Sequence, residues 1–241
     1  MQEKTQASSN LSLPSWYLPV LFGAAIVAAA LSEVCTNANQ KLFFTPEGLP
    51  PFPPELLREI MWNNIFNHAI CFGFLGAVTC GLLTMITASL AGRGILGLVM
   101  GSVVGLVVGG LLGVLGYFLT TTLQPMNLES ILMAMIIFAP LWGLLGLLTS
   151  IMSMRLLGRS DLISNAIQKS LIATVCTVLI FPLIVTLVFP TDWPGRIIQE
   201  FARTRLLCYG VGTLGMACAL FFALKGRKAA AEQVQAETNM A

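Results

Sequence analysis

His68, Glu129 and Arg203 are the side chains best suited by type and position to move a proton or hold a charged group, because all three flank long apolar runs. An imidazole near neutrality and a carboxylate are the usual general base and acid. His68 lies between Asn67 and Ala69, close to Asn63 and Asn64, and reads either as an ordinary interfacial residue or as a contact for a lipid headgroup. Glu129 follows Asn127 and Leu128 just before an apolar run, so its carboxylate is expected to favour the first turn of a helix. Cys35, Cys71, Cys80, Cys176, Cys208 and Cys218 form no CxxC pair and have no histidine at metal-ligand spacing, so no metal or other cofactor is expected. Most of these cysteines fall in apolar runs, where the thiol behaves as a small hydrophobe. Cys35 alone lies outside them, leaving a disulfide to Cys71 or Cys208 open. The apolar runs themselves contain no Asp, Glu, Lys, Arg or His well inside them. Proton relays, ion sites and intramembrane proteases depend on such residues, so the chain is read as not an enzyme and not a proton-driven pump.

The elements that would position these residues follow from composition. Of the 241 residues 56% are hydrophobic and only 10% charged, and the mean hydropathy is +0.83. These values place the chain outside soluble globular domains and among integral membrane proteins. Six runs near the ~20 residues that cross a hydrocarbon core are expected at Trp16–Ser32, Ala69–Leu90, Gly94–Leu119, Ile131–Met152, Leu171–Phe189 and Leu206–Leu224. The expected fold is all-α, a polytopic membrane helix bundle, with a polar leader over residues 1–15 and a polar tail over residues 225–241. The first run has a second reading as a cleavable leader. Lys4 balanced by Glu3, and the absence of small residues around Cys35, favour a retained helix.

The third run carries Gly97, Gly101, Gly105, Gly109 and Gly113, one glycine every fourth residue. Glycine costs a water-exposed helix about 1 kcal/mol per residue. A repeat of this kind is therefore explained by close approach of a second backbone, the main source of helix affinity in lipid. With Gly94 and Gly116 included, the glycines advance 22 residues in six steps, a mean of about 3.67, the period of a right-handed crossing. Such a glycine zipper packs within its own bundle, against a second copy in a homo-oligomer, or against another membrane protein.

Lys and Arg set the orientation. Six spans put Lys4, Arg93, Arg155, Arg159, Lys169, Lys225, Arg227 and Lys228 on one side, and Lys41, Arg58, Arg196, Arg203 and Arg205 on the other. The positive-inside rule then places both termini in the cytoplasm, and a bacterial inner membrane is the expected location. A net charge of +2 gives no reason to expect a nucleic-acid partner.

Two connections exceed a turn. Residues 46–54 are proline-rich and read as extended, after which Leu57, Ile60, Met61 and Ile65 recur at helical spacing. This segment is either a helix lying on the membrane surface or an extension of the second span. In the fifth connection, 192–195 reads as a turn and 196–205 as a short amphipathic segment. Pro140 and Pro182 lie inside the fourth and fifth spans, where each removes a backbone hydrogen bond and makes a kink or a hinge. Cys80, Thr84 and Thr87 share one face of the second span, as interhelical glue or as the wall of a polar path. Gly81-Leu82-Leu83-Thr84 and Gly146-Leu147-Leu148-Thr149 lie 65 residues apart, each followed by a Gly-Arg pair at Gly92 and Gly158. Taken as a repeat, they make spans two and three a copy of spans four and five. A packing, assembly or scaffold role is the expected function, with a channel or facilitator for a neutral or lipid-like solute as the alternative.

Overall fold

Pro54 starts a helix of 36 residues, because proline suits the first helical turn and nothing between it and Ser89 stops the chain. The computed structural model describes residues 13–42, 53–126, 128–192, 194–195, 198 and 201–240, with side chains over the same residues except 40–42 and 226–240. Six helices occupy them: α1 (Tyr17–Leu42), α2 (Pro54–Ser89), α3 (Gly94–Leu123), α4 (Ser130–Leu156), α5 (Ile163–Val188) and α6 (Ala202–Met240). Each contains a stretch long and apolar enough to cross a membrane, and the chain is an all-α integral membrane protein.

The helices run past the apolar runs that seed them. Continuous through 36 residues, α2 measures about 54 Å at 1.5 Å per residue, well beyond a hydrocarbon core of about 30 Å. The segment after Pro54 is thus helical extension of the second span and not a separate surface helix. Likewise α1 continues to Leu42, ten residues beyond the expected Ser32, and α6 continues through the polar tail to Met240. The proline-rich 46–52 and Arg196, Ile197, Gln199 and Glu200 lie outside the described residues.

Five helices close a ring in the order α1, α2, α4, α5, α6, and α3 packs outside it against α2 and α4. Inside, Trp142, Phe72, Phe138, Phe181, Leu75 and Leu83 form an apolar core. A polar clasp joins each neighbouring pair in the ring. Tyr17 and Thr87 join α1 to α2 at 3.1 Å, Thr149 donates to the Cys80 sulfur across α4 and α2 at 3.0 Å, and Ser150 and Ser170 join α4 to α5 at 2.6 Å. Asn165 donates to the Ala223 carbonyl across α5 and α6 at 2.8 Å, and Thr213 to the Ala25 carbonyl across α6 and α1 at 2.9 Å. With no hydrophobic drive between helices in lipid, hydrogen bonds and van der Waals fit must supply the association.

Candidate functional site

A polar cluster lies where the second half of α1 meets α2 and the start of α6. On α1, Glu33, Thr36 and Asn39 fall at three-residue steps, and Asn67 with Cys71 on α2 and Arg205 with Tyr209 on α6 fall at four-residue steps, so each helix presents one face. Arg205 donates from Nε to Glu33 Oε2 at 2.9 Å and from Nη2 to Oε1 at 2.8 Å. This fork matches carboxylate geometry bidentately, and the side chains are only 4% and 15% exposed. Next to it, the Thr36 and Tyr209 hydroxyls meet at 3.0 Å. Asn39 Nδ2 then donates to Asn67 Oδ1 at 2.7 Å and reaches the Cys71 sulfur at 3.3 Å. Phe72 meets the Tyr209 ring edge-on at 6.3 Å between centroids.

Because the helices run past the expected apolar runs, the stretches able to cross a membrane take in charged residues that flank those runs. Glu33 falls inside the stretch of α1 able to cross a membrane, as His68 does in α2 and Arg205 in α6. The apolar run ends at Ser32, but the helix does not, because α2 and α6 supply partners for the polar residues that follow. Cys35, Cys71 and Cys208 are all free thiols.

A second clasp ties the end of α5 to the start of α6. Asp192 accepts from Arg203 Nε at 3.1 Å and Nη2 at 2.8 Å, and from the Thr204 hydroxyl. The Arg203 guanidinium also lies over the Phe189 and Phe201 rings, 4.8 Å and 5.1 Å from their centroids. Hydrogen bonding from Arg203, with help from Thr204, lowers the Asp192 carboxyl to about 2. Cations in a first helical turn oppose the dipole, and Asp192 and Glu33 offset that for Arg203 and Arg205.

The glycine stripe lies on α2. A Cβ placed at Gly97 would stand 2.8 Å from the Thr84 carbonyl oxygen, and one at Gly101 2.5 Å from that of Cys80. At Gly105, Gly109 and Gly113 it would meet the carbonyls of Gly76, Phe72 and His68 more closely still. As the glycines climb by fours the α2 carbonyls descend by fours, so the two helices are antiparallel with their backbones in register from Gly97 to Gly113. The buried residues of α3 are six glycines and Leu112.

The remaining sequence candidates are dispersed. His68 Nδ1 sits 2.6 Å from the Asn64 carbonyl oxygen, and the His68 ring lies 5.3 Å from that of Tyr117. Glu129 takes the N-cap position of α4, where its side chain makes no capping hydrogen bond, and no described contact joins it to His68. Pro140 and Pro182 lie inside α4 and α5. Beside them Phe138 and Phe181 meet edge-on at 5.3 Å, bracing the two helices where each lacks a backbone bond. On the polar face of α2, Cys80 and Thr87 are in clasps, whereas the hydroxyls of Thr79 and Thr84, and of Ser153 on α4, are buried without a partner. Among the described residues, no three His, Cys, Asp or Glu side chains gather as a metal ion would need.

The cluster at Glu33 and Arg205 escaped sequence reasoning. Its signal is faint: a polar i, i+3, i+6 face directly after an apolar run, and an Arg and Tyr four apart in the last span. Comparison of the chain with protein-family models, curated proteins and solved structures finds no match, so the site stands on its own geometry.

Proposed function

We propose that the protein is a non-enzymatic membrane packing and assembly module, a braced helix bundle that presents apolar faces to lipid or to other membrane proteins. The observation that carries this reading is how the interior polar groups are used. Glu33 and Arg205 pair with one another bidentately, and the hydroxyl and amide clasps link neighbouring helices. Groups engaged in this way hold helices together and are not turned toward a substrate. The glycine stripe is occupied by α2, so assembly with a second copy or another protein uses outward faces such as those of Ile95, Leu111 and Leu187. The cytoplasmic placement of both termini in a bacterial inner membrane rests on the positive-inside count.

One observation favours a facilitator instead. A cavity of about 10 Å³ between α4, α5 and α6 is bordered by Trp142, Ser170, Thr177 and Gly212, and elsewhere in the ring the buried hydroxyls of Thr79, Thr84 and Ser153 lack partners. That volume accommodates about one water molecule, so a larger solute requires helix movement. Vesicles reconstituted with the full chain and loaded with glycerol separate the readings. The packing role expects glycerol efflux equal to that of protein-free vesicles, and efflux that rises with protein content overturns it.

A further inference from the structure

The two Gly-Arg pairs close the α2–α3 and α4–α5 turns in the same way. Gly92 and Gly158 take left-handed φ values of 71° and 75°, a conformation with no steric cost only for glycine. Gly92 N–H donates to the Ser89 carbonyl and Arg93 N–H to that of Ala88, both at 3.0 Å. Gly158 N–H donates to the Arg155 carbonyl at 3.0 Å and Arg159 N–H to that of Met154 at 2.9 Å. Both are Schellman closures, and each places an arginine immediately after its glycine.

The arginines then diverge in use. Arg159 forks onto Asp161 at 3.1 Å and 3.3 Å. Arg93 instead crosses between the turns, and its Nη1 donates to the Leu156 carbonyl of α4 at 3.4 Å. Its guanidinium is thereby held at the last turn of α4, which carries Arg155. Arg93 and Arg155 are both exposed, and neither has a carboxylate partner among the described residues. The Leu156 contact engages one of the five N–H donors on Arg93. Helix dipoles do not cancel this charge: the carboxyl ends of α2 and α4 bring about −0.5 each, but the amino ends of α3 and α5 at the same rim bring about +0.5 each. The arginines therefore set the sign. Two and three residues after Arg93 come Ile95, 83% exposed, and Leu96, 49% exposed, so the start of α3 presents apolar side chains outward.

We propose that the rim formed by these two turns binds the phosphate of an anionic phospholipid headgroup, with Arg93 and Arg155 as its ligands and the exposed start of α3 against its acyl chains. Guanidinium forks match phosphate oxygens, and the turns between spans sit where lipid phosphates lie. This site is independent of the packing role, since a facilitator would carry it equally.

The test uses the full chain in mild nonionic detergent, titrated with phosphatidylglycerol and followed by native mass spectrometry of lipid adducts and by the thermal midpoint. Phosphatidylcholine and inorganic phosphate are the comparison arms. Phosphatidylglycerol is expected to bind and stabilise. The variant Arg93→Gln with Arg155→Gln is expected to weaken binding about 25-fold, at about fivefold per arginine near a membrane surface. Arg58→Gln, outside this rim, should leave binding unchanged. Equal binding of phosphatidylcholine, equal stabilisation by inorganic phosphate, or undiminished affinity in the double variant overturns the proposal. Should the double variant fail to fold, Arg155→Gln alone decides, because that side chain makes no described contact, and a loss of about fivefold is expected.

Discussion

Arg205 brings a permanent positive charge into the bundle, and Glu33 neutralises it through two hydrogen bonds from one guanidinium. Desolvating such a pair is costly, so its net contribution to stability is small, but removal of one member leaves the other buried and uncompensated. Glu33→Gln is accordingly expected to destabilise the protein by about 3–5 kcal/mol, read from unfolding in detergent. The paired replacement Glu33→Gln with Arg205→Met should recover most of that loss. A single variant as stable as wild type would contradict the buried pairing. Thr36, Asn39, Asn67 and Tyr209 are different in kind, since each is neutral and each interhelical hydrogen bond in a membrane contributes only about 0.6 kcal/mol. The residue scale is thus dominated by one charge pair, which the sequence separates by 172 positions.

At the scale of elements, the seam between α2 and α3 is the tightest interface, because glycine removes every side chain that would separate the two backbones. Gly105→Ala adds one carbon where the Gly76 carbonyl already stands, and overpacking of this kind costs about 1–3 kcal/mol. Gly23 has no neighbour within 4 Å of its Cβ position, so Gly23→Ala in the same assay should be neutral or slightly stabilising, given the helix preference for alanine. Oligomeric mass should be the same in wild type and Gly105→Ala, because the stripe faces its own chain. An oligomer lost in Gly105→Ala at unchanged thermal stability would place the stripe between chains instead. The period of the stripe was legible because a glycine every fourth residue is a local pattern. Its partner was not: Thr84, Cys80, Gly76, Phe72 and His68 share the same spacing but no common side chain, and what each sets against the stripe is its carbonyl.

For the whole molecule, a ring of five helices with α3 outside alternates its connections between two ends. The α2–α3 and α4–α5 turns lie at one end, and the α3–α4 connection at the other. Single cysteines at Ser160 and at Gln124 should therefore react with a membrane-impermeant thiol reagent from opposite sides. Labelling of Ser160→Cys from the cytoplasmic side alone is expected from the positive-inside count, and labelling of both positions from one side would break the six-span topology. The two halves also share the glycine closures at Gly92 and Gly158, yet only the first hairpin has a glycine seam. In the second, Gly143 meets only the Thr174 side chain, at 3.5 Å, so the hairpins are alike in their turns and unlike in their packing.

Local periodicity determined the membrane class, the six apolar runs and the glycine face, because hydropathy and helical spacing are properties of neighbouring residues. Helix length, the partner of the stripe and the polar cluster were decided only by tertiary structure. Ser32 ends an apolar run, and an isolated chain has no reason to carry a helix through Glu33, Thr36 and Asn39 into an apolar bundle. Arg205, Tyr209 and Asn67 supply that reason from other helices. A buried charge is tolerable only beside its counter-charge, and that proximity is a property of the fold.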